Sequence, residues 1–195
     1  LSTRKGKVLL LSEVLDRACE LATETIAEKN PDLPDRKSVA EQIGLGAVIF
    51  HDLKHQRQKD VVFDWKEVLS FEGDTGPYLQ YTHARCCSIL RKADSPSISS
   101  AEVDSSLLSD SKELMVALGR YPGALREAGR KREPSALAQS LLRIASAGNA
   151  FYRDKRVLGC GDENLEYARL AAVTALRNVL ADGLHLLGVP APEEM

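Results

Sequence analysis

The feature that most constrains the fold is the helical spacing of apolar residues near the end of the chain. Between Glu163 and Leu187, apolar and small side chains recur every three or four residues, which places them on one stripe of a single long helix. The stripe comprises Leu165, Ala172, Leu176, Val179, Gly183 and Leu187. Gly188 ends the pattern, and Pro190 and Pro192 keep the following segment extended. The sequence therefore predicts a helix that packs against other helices.

Six upstream segments also carry helical signals. The first begins after Ser12, a residue type that often caps helices, and ends before Asn30 and Pro31, because proline disfavours a helical residue before it. The others are predicted at residues 39–53, 64–67, 77–92, 109–120 and 134–153, with Tyr121 and Pro122 breaking the fifth. Only residues 61–63 lean towards β-structure. The fold class is therefore predicted to be all-α, a helical bundle.

Composition excludes several classes of protein. The chain has 195 residues, of which 44% are hydrophobic and 28% charged, as is ordinary for a globular protein. No apolar run approaches the roughly 20 residues that span a bilayer, so we expect no membrane partner. The chain begins with Leu1, without an initiator methionine or a signal peptide, which suggests a portion of a longer protein.

The cysteines and histidines have no spacing that favours a metal site. The four cysteines form no CxxC pair, and the adjacent Cys86 and Cys87 are expected to fill the core as reduced thiols, which fits a cytoplasmic location. His51 and His55 have the i, i+4 spacing of a two-histidine metal site, but the glutamate of a His-Glu-x-x-His motif is missing. A solvated helix end is the better interpretation, and we expect no metal site.

The most distinctive segment is FEGDTGPYLQYTHAR, residues 71–85. Pro77 suits the first helical position, where the N–H group that proline lacks would have no partner. Tyr78, Tyr81 and Arg85 then follow at i, i+3 and i+7, on one helical face. Such a face can stack on unpaired nucleic-acid bases and bind a phosphate. Spacing alone favours a different interpretation, half-buried core tyrosines whose hydroxyl groups reach water.

Charge argues against indiscriminate nucleic-acid binding, since the net charge is −2 and the pI is near 6.1. Basic residues nevertheless cluster in three runs. These are Lys54, His55, Arg57 and Lys59; Arg126, Arg130, Lys131 and Arg132; and Arg153, Lys155 and Arg156. Such runs are usually solvated surface. Three of them on an acidic chain suit a protein that contacts a polyanion at selected points.

The segment at residues 71–85 resembles a signature of arginyl-tRNA synthetases, the class I enzymes that join arginine to its tRNA. The resemblance continues through residues 2–18 and 39–65 upstream and through residues 149–158 and 184–195 downstream, in the same order as in that family. It covers most of the chain and implies arginine tRNA as the partner.

The resemblance also implies a division of the chain into two domains. Residues 1–65 would hold the end of an ATP signature loop and the helices that contact the tRNA stem. Residues 66–195 would form the helical bundle that binds the anticodon.

The start of the chain resembles the second signature loop of class I synthetases, usually Lys-Met-Ser-Lys-Ser. The segment comprises Ser2, Thr3, Arg4, Lys5 and Gly6, aligned so that Leu1 takes the methionine position, Ser2 the first serine and Arg4 the last serine. Thr3 occupies a lysine position, and either Arg4 or Lys5 could supply the missing charge. The family's His-Ile-Gly-His motif does not occur in the sequence, nor does a glycine loop between a strand and a helix. We therefore expect the chain to be inactive alone and to need no cofactor, with arginine and ATP, accompanied by Mg, as substrates of a full-length enzyme.

Six residues are implied to bind the anticodon, whose unstacked bases are read by aromatic platforms and base-edge hydrogen bonds. They are Tyr78, Tyr81, Arg85, Asn149, Tyr152 and Met195. A helix cap is the ordinary alternative for Asn149, and a frayed tail for Met195. The family usually has a basic residue where Glu194 stands, which argues against a phosphate contact by the tail. Gln80 and His83 are expected to be polar ties within the bundle.

Three hypotheses follow. The first is a monomeric tRNA-binding portion of arginine–tRNA ligase. The second is a stand-alone helical RNA-binding module, and the third is an adaptor with no RNA function. The resemblance of residues 2–6 to an ATP loop favours the first. The retained tyrosines and Arg85 count against the third.

Overall fold

The computed structural model describes residues 10–93 and 103–195, and within them every regular element is helical. The α-helices are α1 (Leu11–Lys29), α2 (Arg36–Leu53), α3 (Trp65–Val68), α4 (Gly76–Lys92), α5 (Lys112–Lys131), α6 (Pro134–Asp154) and α7 (Glu163–Leu186). A 3₁₀ helix, Ser105–Ser111, precedes α5. The all-α prediction is confirmed. None of these helices is long and apolar enough to cross a bilayer. The predicted ATP loop, Ser2 to Gly6, lies outside the described residues.

Side-chain caps fix the starts of the helices that lead to the distinctive segment. Asp64 Oδ1 accepts the backbone N–H groups of Lys66 and Glu67 at the start of α3, which overlaps the helix predicted at residues 64–67. Thr75 Oγ1 accepts the N–H of Tyr78 at 3.1 Å, and Pro77 lies in the first turn of α4. The Ser12 cap is wrong, because α1 begins at Leu11 and places Ser12 inside the first turn.

The prediction that Tyr121 and Pro122 end a helix is also wrong. Helix α5 continues to Lys131, with Pro122 on its exposed side, where water can replace the lost backbone hydrogen bond. Tyr121 is buried, and its hydroxyl group donates to Asp182 Oδ2 of α7 at 2.5 Å. Packing of α5 against the bundle thus overrides the local effect of proline.

The larger core lies among α4, α5, α6 and α7. Its fully buried side chains include Leu79, Leu114, Leu141, Ile144, Leu176, Leu180 and Leu184. Apolar residues recur at helical spacing on the sixth predicted segment, and all of them are buried: Leu137, Leu141, Ile144 and Ala145. Phe50 from α2 also packs into this core. The predicted domain division at residue 65 stays a prediction.

A smaller apolar cluster holds α1 against α2. It includes Ala22 and Ile26 from α1 and Ile43 from α2. The two helices lie close together at Gly44, since a Cβ atom there would lie 2.7 Å from the backbone nitrogen of Cys19. The two helices therefore pack backbone to backbone, and their packing sets the position of the end of α1.

The segment between α2 and α3 differs from its predictions. Residues 61–63 have no regular structure, because no strand lies beside them among the described residues. His51 is only 4% exposed, so the solvated helix end is wrong for this residue. Its Nε2 lies 3.1 Å from the carbonyl oxygen of Val62 and donates to it.

The last eight residues cross α4 as an extended tail. Gln80 is fully buried, and its Nε2 donates to the carbonyl oxygens of Gln42 and Pro190 at 2.9 and 2.8 Å. His83 Nδ1 lies 3.0 Å from the carbonyl oxygen of Pro192 and donates to it. Both residues are the polar ties predicted from sequence. Cys86 fills the core, and burial raises the pKa of its thiol to about 12.

Candidate nucleic-acid interface

Two clefts open side by side where the end of α1, the middle of α4 and the end of α6 meet. The basic cleft has a volume of about 670 Å³ and is walled by Arg85, Tyr152 and residues 155–158. The aromatic cleft has a volume of about 700 Å³ and is walled by Lys29, Phe71, Tyr78 and Asn149. Asn30, Tyr81 and Met195 line both. All six residues predicted to bind the anticodon therefore lie in one continuous region.

Tyr81 forms the exposed part of the wall between the clefts. Tyr81 is 42% exposed and packs in neither apolar cluster, whereas Tyr78 is half-buried against the larger core, so the core interpretation holds for Tyr78 and not for Tyr81. The Tyr81 ring meets the Phe71 ring edge to face, with 6.4 Å between centroids, and the ammonium group of Lys29 lies 5.0 Å from the centre of Phe71. Sequence reasoning missed Phe71, although it opens the distinctive segment. Its separation from Tyr81 fits no helical period because a turn lies between them.

Arg85 and Tyr152 form the inner wall of the basic cleft. The guanidinium carbon of Arg85 lies 4.5 Å from the centre of the Tyr152 ring, in a cation–π contact that holds the exposed cation over a half-buried ring. Burial raises the pKa of the Tyr152 hydroxyl, so it is protonated at neutral pH. The predicted face thus combines a stacked guanidinium with a phenol that keeps its proton.

Asn149 lies more than a turn before the end of α6, so the helix-cap alternative is wrong. Its Nδ2 donates to the Tyr78 hydroxyl at 2.8 Å and to Thr82 Oγ1 at 3.0 Å. Its Oδ1 accepts from the Tyr152 hydroxyl. The side-chain amide therefore links α4 to α6 between the two clefts. A base-reading role for Asn149 stays a prediction.

The tail forms an ordered wall, which contradicts the frayed-tail alternative. Asn30 Nδ2 donates to the carbonyl oxygen of Met195 at 3.2 Å, and the Met195 side chain packs against the α1–α2 cluster. Arg91 pairs with Glu194 at 3.1 Å and donates to the carbonyl oxygen of Glu193. The acidic residue that departs from the family pattern is thus engaged with a cation of α4.

The basic cleft is locally positive on an acidic chain. Its five cationic side chains are Arg85, Arg91, Lys92, Lys155 and Arg156, and its three carboxylates are Asp32, Glu193 and Glu194. Lys155 pairs with Asp110 at 2.7 Å, outside the lining. Lys54, from another basic run, is only 8% exposed and donates to the carbonyl oxygen of Asp74. Of the three runs, the one near Tyr152 contributes to the clefts.

Family models match most of the chain. Residues 79–195 match the family described as the DALR anticodon binding domain. The chain belongs to the DALR anticodon-binding family. The matched residues include five of the six predicted contacts, with Tyr78 immediately before them. Residues 1–65 match a second model, described as the catalytic domain of class I (R) tRNA synthetases. The resemblance to arginyl-tRNA synthetases stated from sequence is confirmed.

Relatives of this chain include arginine–tRNA ligases. Arginine–tRNA ligase 1 of Bacillus cereus is 48% identical over the whole chain, and the arginine–tRNA ligase of Enterococcus faecalis is 49% identical. The chain spans 34% of the length of each of these relatives. The arginyl-tRNA synthetase of Thermus thermophilus aligns over 96% of this chain and 32% of its own, with 40% identity and a TM-score of 0.86.

Proposed function

We propose that this chain is the tRNA-binding portion of an arginine–tRNA ligase and that its two clefts bind the anticodon loop of arginine tRNA. The observation that carries the proposal is the convergence of six residues from α4, α6 and the tail on two clefts with a common wall. Adjoining clefts with aromatic walls suit successive bases that are turned out of a loop. The ligases among the relatives of the DALR domain support this partner.

The physical chemistry of the clefts fits this role. The exposed ring of Tyr81 can stack on a base from either side, since it lines both clefts. Arg85 lies at the basic cleft with its charge over a ring, where it can contact a phosphate or a base edge. The excess of cations there attracts the RNA backbone. Base stacking and phosphate contacts supply affinity and orientation, and hydrogen bonds to base edges supply selectivity.

The ligase reaction belongs in this proposal to the full-length protein, which would activate arginine with ATP and transfer it to tRNA. The sequence holds no His-Ile-Gly-His motif, so the chain alone is expected to lack exchange of pyrophosphate into ATP. Measurable arginine-dependent exchange by the purified chain would contradict this part of the proposal. We further propose that the protein is a cytoplasmic monomer.

The test uses an RNA hairpin with the anticodon stem and loop of arginine tRNA and a second hairpin with a scrambled anticodon. Binding to both is measured across a salt series, because phosphate contacts weaken with salt while base contacts persist. Preference for the arginine anticodon that survives at high salt is the expected result. Weak, equal binding that vanishes with salt contradicts anticodon recognition and favours the RNA-binding module without ligase function.

Tyr81→Ala tests the common wall directly. Loss of a base-stacking platform costs about 1–3 kcal/mol of binding free energy, and the exposed ring can be removed without opening the core. Phe63→Ala is the matched control, since Phe63 is 40% exposed and lines neither cleft. Unchanged affinity in Tyr81→Ala would remove this residue from the interface.

A further inference from the structure

A chain of hydrogen bonds that begins at Thr82 runs beneath the two clefts. The Thr82 side chain is fully buried, and its hydroxyl oxygen lies 2.8 Å from the carbonyl oxygen of Tyr78 and 3.0 Å from Asn149 Nδ2. A carbonyl oxygen can only accept, so the single hydroxyl proton of Thr82 is committed to Tyr78. Thr82 must therefore accept from Asn149, which fixes the orientation of that amide.

The fixed amide sets the direction of two tyrosine hydroxyl groups. The NH₂ group of Asn149 also donates to the Tyr78 oxygen at 2.8 Å, so the Tyr78 proton remains available to a ligand. Asn149 Oδ1 can only accept, so the Tyr152 hydroxyl donates to it and can offer a ligand only lone pairs. The buried Thr82 hydroxyl thus determines that Tyr78 can donate a hydrogen bond to a ligand and that Tyr152 can only accept one.

We infer that Thr82 is a positioning residue for base recognition, acting through Asn149 on Tyr78 and Tyr152. Tyr78 lines the aromatic cleft as a hydrogen-bond donor, and Tyr152 lines the basic cleft as an acceptor. At Tyr78 the aromatic cleft therefore selects a base-edge acceptor, and at Tyr152 the basic cleft selects a base-edge donor. This inference rests on the proposed function, because it concerns how the same clefts distinguish bases.

Variants of Thr82 test the inference with the two anticodon hairpins. In T82V a methyl group replaces the hydroxyl, so one Asn149 N–H loses its acceptor and the amide is no longer held in one orientation, which is expected to reduce the competent population by up to roughly tenfold. Affinity for the arginine hairpin is expected to fall by about the same factor. T82S keeps the hydroxyl and is expected to bind within about twofold of the unchanged chain.

T174V is the matched control. Thr174 makes the same backbone contact in α7, with Oγ1 donating to the carbonyl oxygen of Leu170 at 2.9 Å, and it lines neither cleft. Its binding is expected to be unchanged. If T82V loses its helical circular dichroism, T82A replaces it, because alanine favours the helix. The same loss of affinity is expected from T82A.

A second readout needs no RNA. The side-chain amide protons of Asn149 should exchange slowly with solvent in the unchanged chain, T82S and T174V, and rapidly in T82V. Anticodon discrimination by the unchanged chain with undiminished binding by T82V would overturn the positioning role alone, as would T82S binding as weakly as T82V. Failure of the unchanged chain to discriminate would instead overturn the proposed function and the base selection that depends on it.

Discussion

Gly44→Ala is expected to destabilise the protein although alanine is the better helix former. A Cβ atom at this position lies 2.7 Å from the nitrogen of Cys19 and 2.8 Å from the carbonyl carbon of Ala18. Ordinary contact begins near 3.4 Å, so helix α1 must move away by about 0.7 Å, the difference from the shortest contact of 2.7 Å. The obstructing atoms are backbone, and a side-chain rotation cannot relieve the contact.

The expected change in the free energy of unfolding of Gly44→Ala is the sum of two opposing effects. Overpacking costs about 1–3 kcal/mol, and the higher helix propensity of alanine returns up to about 1 kcal/mol. The net loss is about 1–2 kcal/mol, which for a domain of this size lowers the melting temperature by roughly 2–8 °C. Thermal unfolding followed by circular dichroism measures this shift. Since α1 carries Lys29 and Asn30 into the clefts, hairpin affinity should fall as well.

Gly119→Ala provides the control with the same chemical change and the opposite sign. Gly119 lies inside α5, and a Cβ atom there meets no atom within 4 Å. The variant is expected to gain about 0.5–1 kcal/mol from helix propensity alone. A Gly44→Ala protein as stable as the unchanged chain would refute the claim that α1 and α2 pack backbone to backbone.

Two further predictions concern stability. Burial lowers the pKa of His83 below the ordinary 6.5, so only the unfolded chain gains this proton as the pH falls below 6.5. The free energy of unfolding, measured with urea, should therefore decrease from about pH 7 to about pH 5.5. The decrease should be less steep in His83→Gln. Equal slopes in the two proteins would contradict burial of His83 in its neutral form. Pro122→Ala restores a backbone donor inside α5 and should raise stability by about 1–2 kcal/mol in thermal unfolding, because the helical gain of about 3 kcal/mol exceeds the added unfolded-state entropy. A loss of stability would show that packing requires the proline.

The sequence predicted the features that depend on near neighbours. Helical periodicity located the long helices, and the cap at Asp64 follows from residues two and three positions away. The break at Pro122 failed because the hydrogen bond from Tyr121 to Asp182 spans 61 positions of sequence. The burial of His51 likewise depends on the loop after α2, which places the carbonyl oxygen of Val62 against the His51 ring.

The candidate site shows the same limit. The spacing of Tyr78, Tyr81 and Arg85 was enough to place them on one face of α4, but it did not predict that Tyr81 is exposed while Tyr78 is half-buried. The hydrogen bond from Asn149 to Tyr78 was not predictable, because the two residues lie 71 positions apart in sequence. Thr82 gave no signal, since a buried helical threonine usually bonds only its own backbone. The donors and acceptors in these hydrogen bonds can be assigned only when the positions of α4 and α6 are both known.

The shared wall makes the two clefts interdependent. A ligand that draws the Tyr81 ring into one cleft withdraws it from the other, so occupation of either changes the free energy of filling its neighbour. Such coupling is reciprocal by thermodynamic necessity. Penalties for two simultaneous base changes should therefore differ from the sum of the single penalties. Under the proposed function, the affinity for a base in one cleft therefore depends on the base that occupies the other.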